Sequence, residues 1–354
     1  MKILYIGKDL IDVKGGADQI NKRNLKLLKS IFSDLYLDCI TPVDKKKFFI
    51  YRWGGDTAFL RLLRKQIVQN EYDYVFLSQS LYGDTAQFIK RTNPNIKIVC
   101  FFHNIEKQYA KEYIRTSSII HYPFYYNVKS SEKKAVFNSD YYIVLNERDA
   151  HLLKSYYGKE ANLILPTSFE DVFQIERSIQ TKVVNSSDII YLFVGGAFFA
   201  NVEAVRWFIK KVMPYIPGKL IIVGKGMDVY YHEWNSERIE VHGFVDDLSI
   251  FYYKATLVIS PIFSGGGMKT KTAEALMFGK TIVGTKEAFE GYQMEKGVTI
   301  LCDNSTDFIN NILNLIAQDN LSPYNSEARR LFLKNYSLET SKIRMSHFFN
   351  SIMK

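Results

Sequence analysis

Short apolar runs separated by helix-length segments recur along the whole chain, and this alternation constrains its fold more than any other feature. Strand-like runs in the first half lie at 2–6, 35–40, 74–78, 96–102 and 141–145. Those in the second half lie at 189–194, 219–223, 239–241, 257–261 and 281–284. Helices are predicted at 19–32, 202–212 and 269–278. Strands spaced in this way pair in parallel beneath helices on both faces, so we predict an α/β protein with two doubly wound parallel-sheet domains.

The domain boundaries are predicted where this alternation is interrupted. Residues 166–187 are rich in Ser, Thr, Glu and Asp, which is typical of a linker between domains. This places the first domain at 1–165 and the second at 188–330, with a cleft between them. Apolar residues at helical spacing predict a final helix within 337–354 that packs back on the first domain.

The positive charge of the chain is unevenly distributed. Of the formal net charge of +9, the whole excess lies in residues 1–165, which hold 26 Lys and Arg against 17 Asp and Glu. Residues 166–354 hold 20 of each kind. Such a basic half indicates an acidic partner, such as a phosphorylated substrate or an anionic membrane surface, with a solvated basic face as the alternative. No nucleic-acid-binding motif accompanies the charge, so we expect no nucleic acid partner.

Cysteine usage and hydropathy narrow the class of protein further. The three cysteines are widely separated and form no CxxC pair, which argues against a disulfide scaffold and against structural zinc. No uncharged run approaches the ~20 residues that a membrane-spanning helix needs, and the first residues do not resemble a secretory signal. We therefore expect a cytoplasmic protein that does not cross the membrane.

The stretch 260–280 carries the strongest indication of chemistry, because a glycine run leads there from a strand end into a helix. The glycines are Gly265, Gly266 and Gly267. Unobstructed backbone N–H groups at a helix N-terminus form an anion site, and Lys269 and Lys271 add positive charge suited to a diphosphate. Glu274 lies on the same helix face as Lys271, where its carboxylate suits ribose hydroxyls. A glycine turn with an ordinary Lys–Glu pair is the alternative.

Residues 265–285 resemble the donor-binding segment of GT-B glycosyltransferases, especially the retaining, family 4-like enzymes of bacterial polysaccharide and glycan biosynthesis. The stretch 193–208 resembles the first strand and helix of their C-terminal domain, and 241–246 falls in the expected order. The resemblance covers about 189–295 and is weaker in the first half. It implies two Rossmann-like domains that face each other across a cleft, with the acceptor side first and the donor side second.

The resemblance also implies roles for single residues. Glu274 would bind the ribose hydroxyls of a nucleotide sugar, while Lys269, Lys271 and the three glycines would hold its diphosphate. Gly243 and Phe244 would lie near the base. The resemblance implies no metal ion and no other cofactor, since the nucleotide sugar is itself a substrate.

Two departures from the family pattern affect this donor site. Many relatives carry an acidic residue eight positions before the one that matches Glu274, and Gly266 stands there. Many also place Arg or Lys within the stretch that matches 195–201, which has neither here. We therefore expect Lys269 and Lys271 to supply more of the positive charge than they do in those relatives.

Two positions in the first half show weaker correspondences. His103 follows a buried strand, where open α/β sheets place residues that contact ligands. The resemblance implies a catalytic contact between His103 and the transferred sugar, with simple packing as the alternative. Gly15 and Gly16 follow the first strand, and Gly16 is expected to approach the donor phosphates unless the pair only forms a tight turn.

Basic and aromatic residues are interleaved in two stretches, 45–53 and 121–126. Three alternatives stay open for them: peripheral contact with a membrane that presents a lipid-linked acceptor, stacking on sugar faces, and core packing. His121 and His242 have no comparable support, and we expect both to be structural.

The sequence therefore predicts a glycosyltransferase that moves a sugar from a nucleotide-sugar donor to a glycan, lipid-linked or protein acceptor. Retention of configuration is implied by the resemblance alone. Lysines and helix N–H groups would stabilise the leaving diphosphate. Two alternatives remain: a sugar-nucleotide epimerase on the same scaffold, and a catalytically inactive GT-B subunit that supports an active partner.

Overall fold

The computed structural model describes residues 2–8, 16–33, 36–42, 44–47, 50–116, 122–178, 189–265, 267–317 and 321–353. The chain divides into two units, each with its own parallel sheet. The first unit comprises residues 1–167 and 341–354, and the second comprises 168–340.

Six parallel strands form the sheet of the first unit. These strands are β1 (Ile3–Ile6), β2 (Leu37–Ile40), β5 (Tyr74–Leu77), β6 (Lys97–Phe101), β7 (Tyr141–Val144) and β8 (Leu163–Ile164). The strands β3 (Lys45–Lys47) and β4 (Ile50–Arg52) form a separate hairpin. The sheet order is β2-β1-β5-β6-β7-β8, and β3 and β4 pair with each other in antiparallel fashion. Strand order reverses between β1 and β5, which is where open α/β sheets bind ligands.

Helices lie between these strands in the sequence. They are α1 (Gly16–Ile31), α2 (Thr57–Gln69), α3 (Gly83–Thr92), α4 (Glu106–Thr116), α5 (Tyr122–Asn138) and α6 (Glu147–Tyr157). All four residues of β1 and of β5 are buried, as expected for strands that are covered on both faces. Local signals set the helix ends: the Asp56 carboxylate accepts the first N–H groups of α2, and Gly158 ends α6 with a φ of 68°.

The second unit repeats this architecture. Its strands are β9 (Ile190–Val194), β10 (Lys219–Val223), β11 (Ile239–His242), β12 (Leu257–Ser260), β13 (Thr281–Gly284) and β14 (Thr299–Leu301). The helices of residues 168–335 are α7 (Ile175–Ser178), α8 (Phe199–Lys211), α9 (Tyr231–Trp234), α10 (Ser249–Lys254), α11 (Thr270–Met277), α12 (Ser305–Ala317) and α13 (Ser326–Asn335). Short 3-10 turns occur at Met213–Tyr215, Met227–Tyr230 and Glu287–Phe289.

All strands of the second sheet are parallel, in the order β11-β10-β9-β12-β13-β14. The first strand, β9, lies in the middle, with β10 on one side and β12 on the other. Strand order therefore reverses between β9 and β12. The loops that follow these two strands are the expected place for a ligand in this unit.

The last helix, α14 (Leu338–Ile352), packs on the first unit from Ser341 onward. Its Phe349 ring meets Phe32 of the first unit edge to face, with 5.0 Å between ring centroids. The Tyr74 hydroxyl donates a hydrogen bond to the Ile352 carbonyl at 2.8 Å. Aromatic contacts and a hydrogen bond thus fasten the end of the chain to the first sheet.

The prediction of two doubly wound parallel-sheet domains is confirmed by these two sheets. Elements with weak sequence signals were not predicted, among them the two-residue strand β8, the hairpin of β3 and β4, and the edge strand β14. Within the described residues, no helix has the length and apolar character needed to span a membrane.

Candidate functional site

A glycine turn between β12 and α11 forms the centre of the candidate site in the second unit. Gly265 has a φ of 137° and Gly267 a φ of 65°, a region of backbone conformation that residues with a Cβ rarely adopt. Gly266 lies outside the described residues. The turn leads directly into α11, whose N-cap residue, Lys269, provides no side-chain cap. The Thr272 N–H donates to the Lys269 carbonyl at 3.0 Å, so Thr270 and Lys271 are the candidate N–H donors to an anion at this helix start.

Lys271 lies in the first turn of α11 and is only 7% exposed. Its Nζ donates a hydrogen bond to Asn201 Oδ1 at 2.7 Å and lies 4.2 Å from the centre of the Phe193 ring on β9. The pKa of Lys271 is lowered to about 7, chiefly by burial and to a lesser degree by the positive charge of Lys269, while the Glu274 carboxylate acts in the opposite direction. An anion that bound here would favour the charged form of this lysine.

The end of β9 meets this lysine at a second glycine turn. A Cβ on Gly195 would lie 2.8 Å from Lys271 Nζ and 2.9 Å from Asn201 Nδ2, so a side chain does not fit there without displacement. Asn201 Nδ2 also donates to the Gly196 carbonyl at 2.9 Å. The carboxyl ends of β9 and β12, where strand order reverses, are thus joined through Lys271 and Asn201.

Lys269 folds back over the glycine turn. Its Nζ donates to the Gly267 carbonyl at 2.9 Å and forms an ion pair with Glu287 at 2.7 Å. The Tyr292 hydroxyl donates to the Lys269 carbonyl at 2.7 Å and fixes the backbone at the helix start. Lys269 therefore lies at the turn, where its ammonium is paired with a carboxylate of this chain.

Glu274 lies one helical turn after Lys271 on α11. Its Oε2 accepts a hydrogen bond from the Tyr252 hydroxyl at 3.1 Å. Burial raises the pKa of Glu274, while Tyr252 and Lys271 act to lower it. A partly exposed carboxylate next to a buried ammonium can accept hydrogen bonds from ligand hydroxyls.

The two residues predicted near the base follow β11. A Cβ on Gly243 would lie 2.6 Å from Asp228 Oδ1, so the glycine permits a close approach of this carboxylate. Phe244 is 73% exposed and offers a ring face to solvent. β11 is an edge strand, two strands away from β9. Among the described residues, neither Gly243 nor Phe244 contacts the glycine turn between β12 and α11.

His103 lies at the carboxyl end of β6 in the first unit and is 6% exposed. Its Nε2 lies 2.8 Å from the Ser78 carbonyl and 3.0 Å from Asn21 Oδ1. Because both partners are acceptors, we assign the proton to Nε2, which leaves Nδ1 as a buried acceptor with no hydrogen-bond partner among the described residues. Burial lowers the pKa of His103 to about 4, so the ring is neutral near pH 7.

Other predicted positions of the first unit are only partly described. Gly16 is the first residue of α1, and its neighbour Gly15 lies outside the described residues, as does His121. His242 ends β11 and lies 3.5 Å from Glu240, beside the Phe251 ring.

The two basic and aromatic stretches come together in the first unit. Tyr51 stacks on Trp53 with 5.4 Å between ring centroids, and Phe124 meets both rings edge to face. These three partly buried rings therefore pack on one another, and Trp53 also packs against the core of the first sheet. Tyr122 and Tyr126 are 46% and 60% exposed at the start of α5.

Sequence reasoning missed three residues that complete the candidate donor site: Asn201, Tyr252 and Glu287. Asn201 left a signal, because its amide is the single polar side chain in the stretch 195–201. Tyr252 and Glu287 approach Glu274 and Lys269 from 22 and 18 positions away in the sequence. Neither spacing matches a local pattern that could have revealed these contacts.

Residues 188–318 match the family model described as glycosyl transferases group 1. This match includes β9, both glycine turns, Lys271 and Glu274. None of the curated proteins matches the sequence.

Solved structures similar to the chain extend the comparison over its full length. HepE from Anabaena, in complex with UDP and glucose, is 14% identical with a TM-score of 0.68, over 99% of this chain and 100% of that chain. The pneumococcal O-GlcNAc transferase GtfA, in complex with UDP and GlcNAc, is 11% identical with a TM-score of 0.65, over 100% and 99%. A glycosyltransferase from Rickettsia africae is 14% identical with a TM-score of 0.66, over 100% and 99%.

Identities this low establish a shared fold, and the family match adds the class of enzyme. The predicted GT-B architecture and the predicted enzyme class are both confirmed. The chain is a glycosyltransferase of the GT-B fold, and residues 188–318 of its second unit match the model of the glycosyl transferases group 1.

Proposed function

We propose that the glycine turn between β12 and α11 binds the diphosphate of a nucleotide-sugar donor, with Lys271 as its principal counter-charge. The observation that carries this proposal is the buried Lys271 ammonium at a helix start whose N-cap residue, Lys269, gives no side-chain cap. A buried cation is costly unless an anion or hydrogen-bond acceptors compensate it. A diphosphate at the turn supplies that compensation.

The other donor contacts follow from the same placement. Glu274 accepts hydrogen bonds from the ribose hydroxyls, while the exposed Phe244 ring and Gly243 lie toward the base. We propose UDP as the nucleotide, since HepE has been solved with UDP and UDP-glucose and GtfA with UDP and GlcNAc. The two departures from the family pattern, at Gly266 and in 195–201, leave Lys271 and Lys269 as the charges nearest the diphosphate.

The reaction proposed for this site is the transfer of a glycosyl group with departure of the nucleoside diphosphate. As the glycosidic bond breaks, negative charge develops on the leaving phosphate oxygens, and the Lys271 ammonium and α11 N–H groups stabilise it. Binding of the diphosphate also draws Lys269 away from Glu287. We propose retention of configuration, with the acceptor hydroxyl attacking from the side of the leaving group, and a glycan, lipid-linked or protein acceptor.

His103 has a separate role in this proposal. Its neutral ring presents Nδ1 as a hydrogen-bond acceptor, and we propose that a hydroxyl of the transferred sugar donates to this atom. The Ser78 carbonyl and Asn21 fix the ring orientation through Nε2. His103 acts as a sugar-positioning contact and not as a general acid, because its pKa of about 4 keeps it neutral at pH 7.

A panel of nucleotides and nucleotide sugars tests the donor proposal. We expect UDP and a UDP-sugar to raise the thermal midpoint by several degrees at ~1 mM, with GDP, ADP and CMP at least about tenfold weaker. Mass spectrometry of the UDP-sugar without acceptor should show no conversion to an epimer. A chain that binds no nucleoside diphosphate, or that binds CMP as well as UDP, contradicts a diphosphate site.

Contact with membrane lipids is proposed for the first unit. The exposed rings of Tyr122 and Tyr126 and the basic charge of residues 1–165 suit an anionic interface. We expect the protein to sediment with vesicles rich in phosphatidylglycerol and to be released by about 0.5 M salt, because screening weakens such contacts. Serine at both tyrosine positions should reduce sedimentation, and equal sedimentation with uncharged vesicles would rule out the electrostatic contact.

A further inference from the structure

Asn201 connects two parts of the second unit that are distant in the sequence. Its Oδ1 accepts a hydrogen bond from Lys271 Nζ at 2.7 Å, and its Nδ2 donates to the Gly196 carbonyl at 2.9 Å. The amide of Asn201 thus accepts a hydrogen bond from Lys271 on α11 and donates one to the turn that follows β9. Each end of the amide fixes the orientation of the other.

Packing leaves Lys271 little freedom around this hydrogen bond. Phe193 lies beneath the ammonium at 4.2 Å, and the missing side chain of Gly195 provides the space that Nζ occupies. Two elements pack against Lys271 here. β9 contributes the aromatic ring of Phe193, and α8 contributes the neutral amide of Asn201. The charged groups that face Lys271 are Lys269 and Glu274, both from its own segment.

We propose that Asn201 is a positioning residue of the diphosphate site, which holds the Lys271 ammonium and the Gly195–Gly196 turn in one arrangement ready for the leaving phosphate. This inference rests on the proposed function, because it deepens the same donor site. Asn201 need not touch the donor. It acts through the place and the charge state of Lys271.

A neutral amide has two consequences that a carboxylate would not have. It orients the ammonium without neutralising it, so the full positive charge remains for the diphosphate. It also leaves the proton of Lys271 weakly held, in agreement with the lowered pKa of about 7. The diphosphate therefore binds together with a proton when the pH is above that value, and its affinity falls as the pH rises.

The test compares UDP binding by wild-type protein, Asn201→Ala and the isosteric Asn201→Asp from about pH 6.5 to 9 by titration calorimetry. We expect Asn201→Ala to weaken UDP binding about tenfold at pH 7, since Lys271 loses its hydrogen-bond acceptor. Asn201→Asp should weaken binding by a similar factor at low pH, because its carboxylate neutralises the ammonium. Its affinity should then fall less steeply with pH than that of the wild-type protein, since the carboxylate keeps Lys271 charged.

Glu203→Ala is the matched control, since Glu203 is an exposed residue on the same helix. It should leave both the affinity and its pH dependence unchanged, and the thermal midpoints of all variants report on folding. Wild-type affinity and wild-type pH dependence in both Asn201 variants would overturn the positioning role alone. Failure of the wild-type protein to bind UDP would overturn the donor site itself, and the two failures are therefore distinguishable.

Discussion

Replacement of Lys271 by methionine is expected to lower kcat/KM for glycosyl transfer roughly 10²–10³-fold. Methionine keeps the length and packing of the side chain, but it supplies no positive charge to the leaving diphosphate. The thermal midpoint should stay the same or rise, because the variant no longer buries an ammonium. Initial rates at limiting donor, together with thermal melting, measure both effects.

A second buried lysine of the same unit provides the control. Lys280 is 2% exposed, and burial lowers its pKa to about 7, as for Lys271. Its Nζ donates to the carbonyl of Ala255 at 2.8 Å and to that of Pro323, so its role is to satisfy two buried acceptors. Lys280→Met should lower the thermal midpoint by about 5–10 °C and leave kcat/KM of the folded protein unchanged. Equal losses of activity in Lys271→Met and Lys280→Met would contradict a specific role of Lys271 at the glycine turn, because loss of any buried lysine would then have the same effect.

The second large effect is expected at Glu274. Replacement by alanine removes the carboxylate that accepts from the ribose hydroxyls and should lower kcat/KM about 100-fold. The wild-type protein should also prefer UDP over 2′,3′-dideoxy-UDP by about tenfold or more, and Glu274→Ala should lose this preference. Competition binding of the two nucleotides measures the ratio directly.

Tyr252→Phe is the control for Glu274→Ala, because it changes the surroundings of the carboxylate without removing the carboxylate itself. It removes the hydroxyl that donates to Glu274 at 3.1 Å but keeps the carboxylate and the ring. The Tyr252→Phe variant should still prefer UDP over 2′,3′-dideoxy-UDP, with at most a modest change in its affinity for UDP. If Glu274→Ala retains the wild-type preference, the carboxylate does not bind the ribose.

Much of the fold and the centre of the site could be predicted because their causes are local in sequence. Strands such as Lys219–Val223 and Thr281–Gly284 each contain a short run of apolar residues after a polar first residue, and the structure gives them the predicted bounds. A glycine run before a helix with two lysines predicts an anion site from backbone geometry alone. These features need no knowledge of distant contacts.

The remaining parts of the site depend on contacts that sequence spacing does not encode. Glu287 reaches Lys269 from a 3-10 turn after β13, and Asn201 meets Lys271 across 70 positions. The neutral state of His103 follows from its burial beside Ser78 and Asn21, which becomes visible only when the first sheet is assembled. Short or edge elements such as β8 lack the periodicity on which prediction relies.

A crystal structure of the chain with bound UDP is the most direct measurement of the central claim, namely that the turn at Gly265 and Gly267 and the start of α11 hold the diphosphate. We expect phosphate oxygens within hydrogen-bond distance of Lys271 Nζ and of backbone N–H groups at this turn, with the ribose next to Glu274. A diphosphate bound elsewhere, with Lys271 still bonded only to Asn201, would contradict the account.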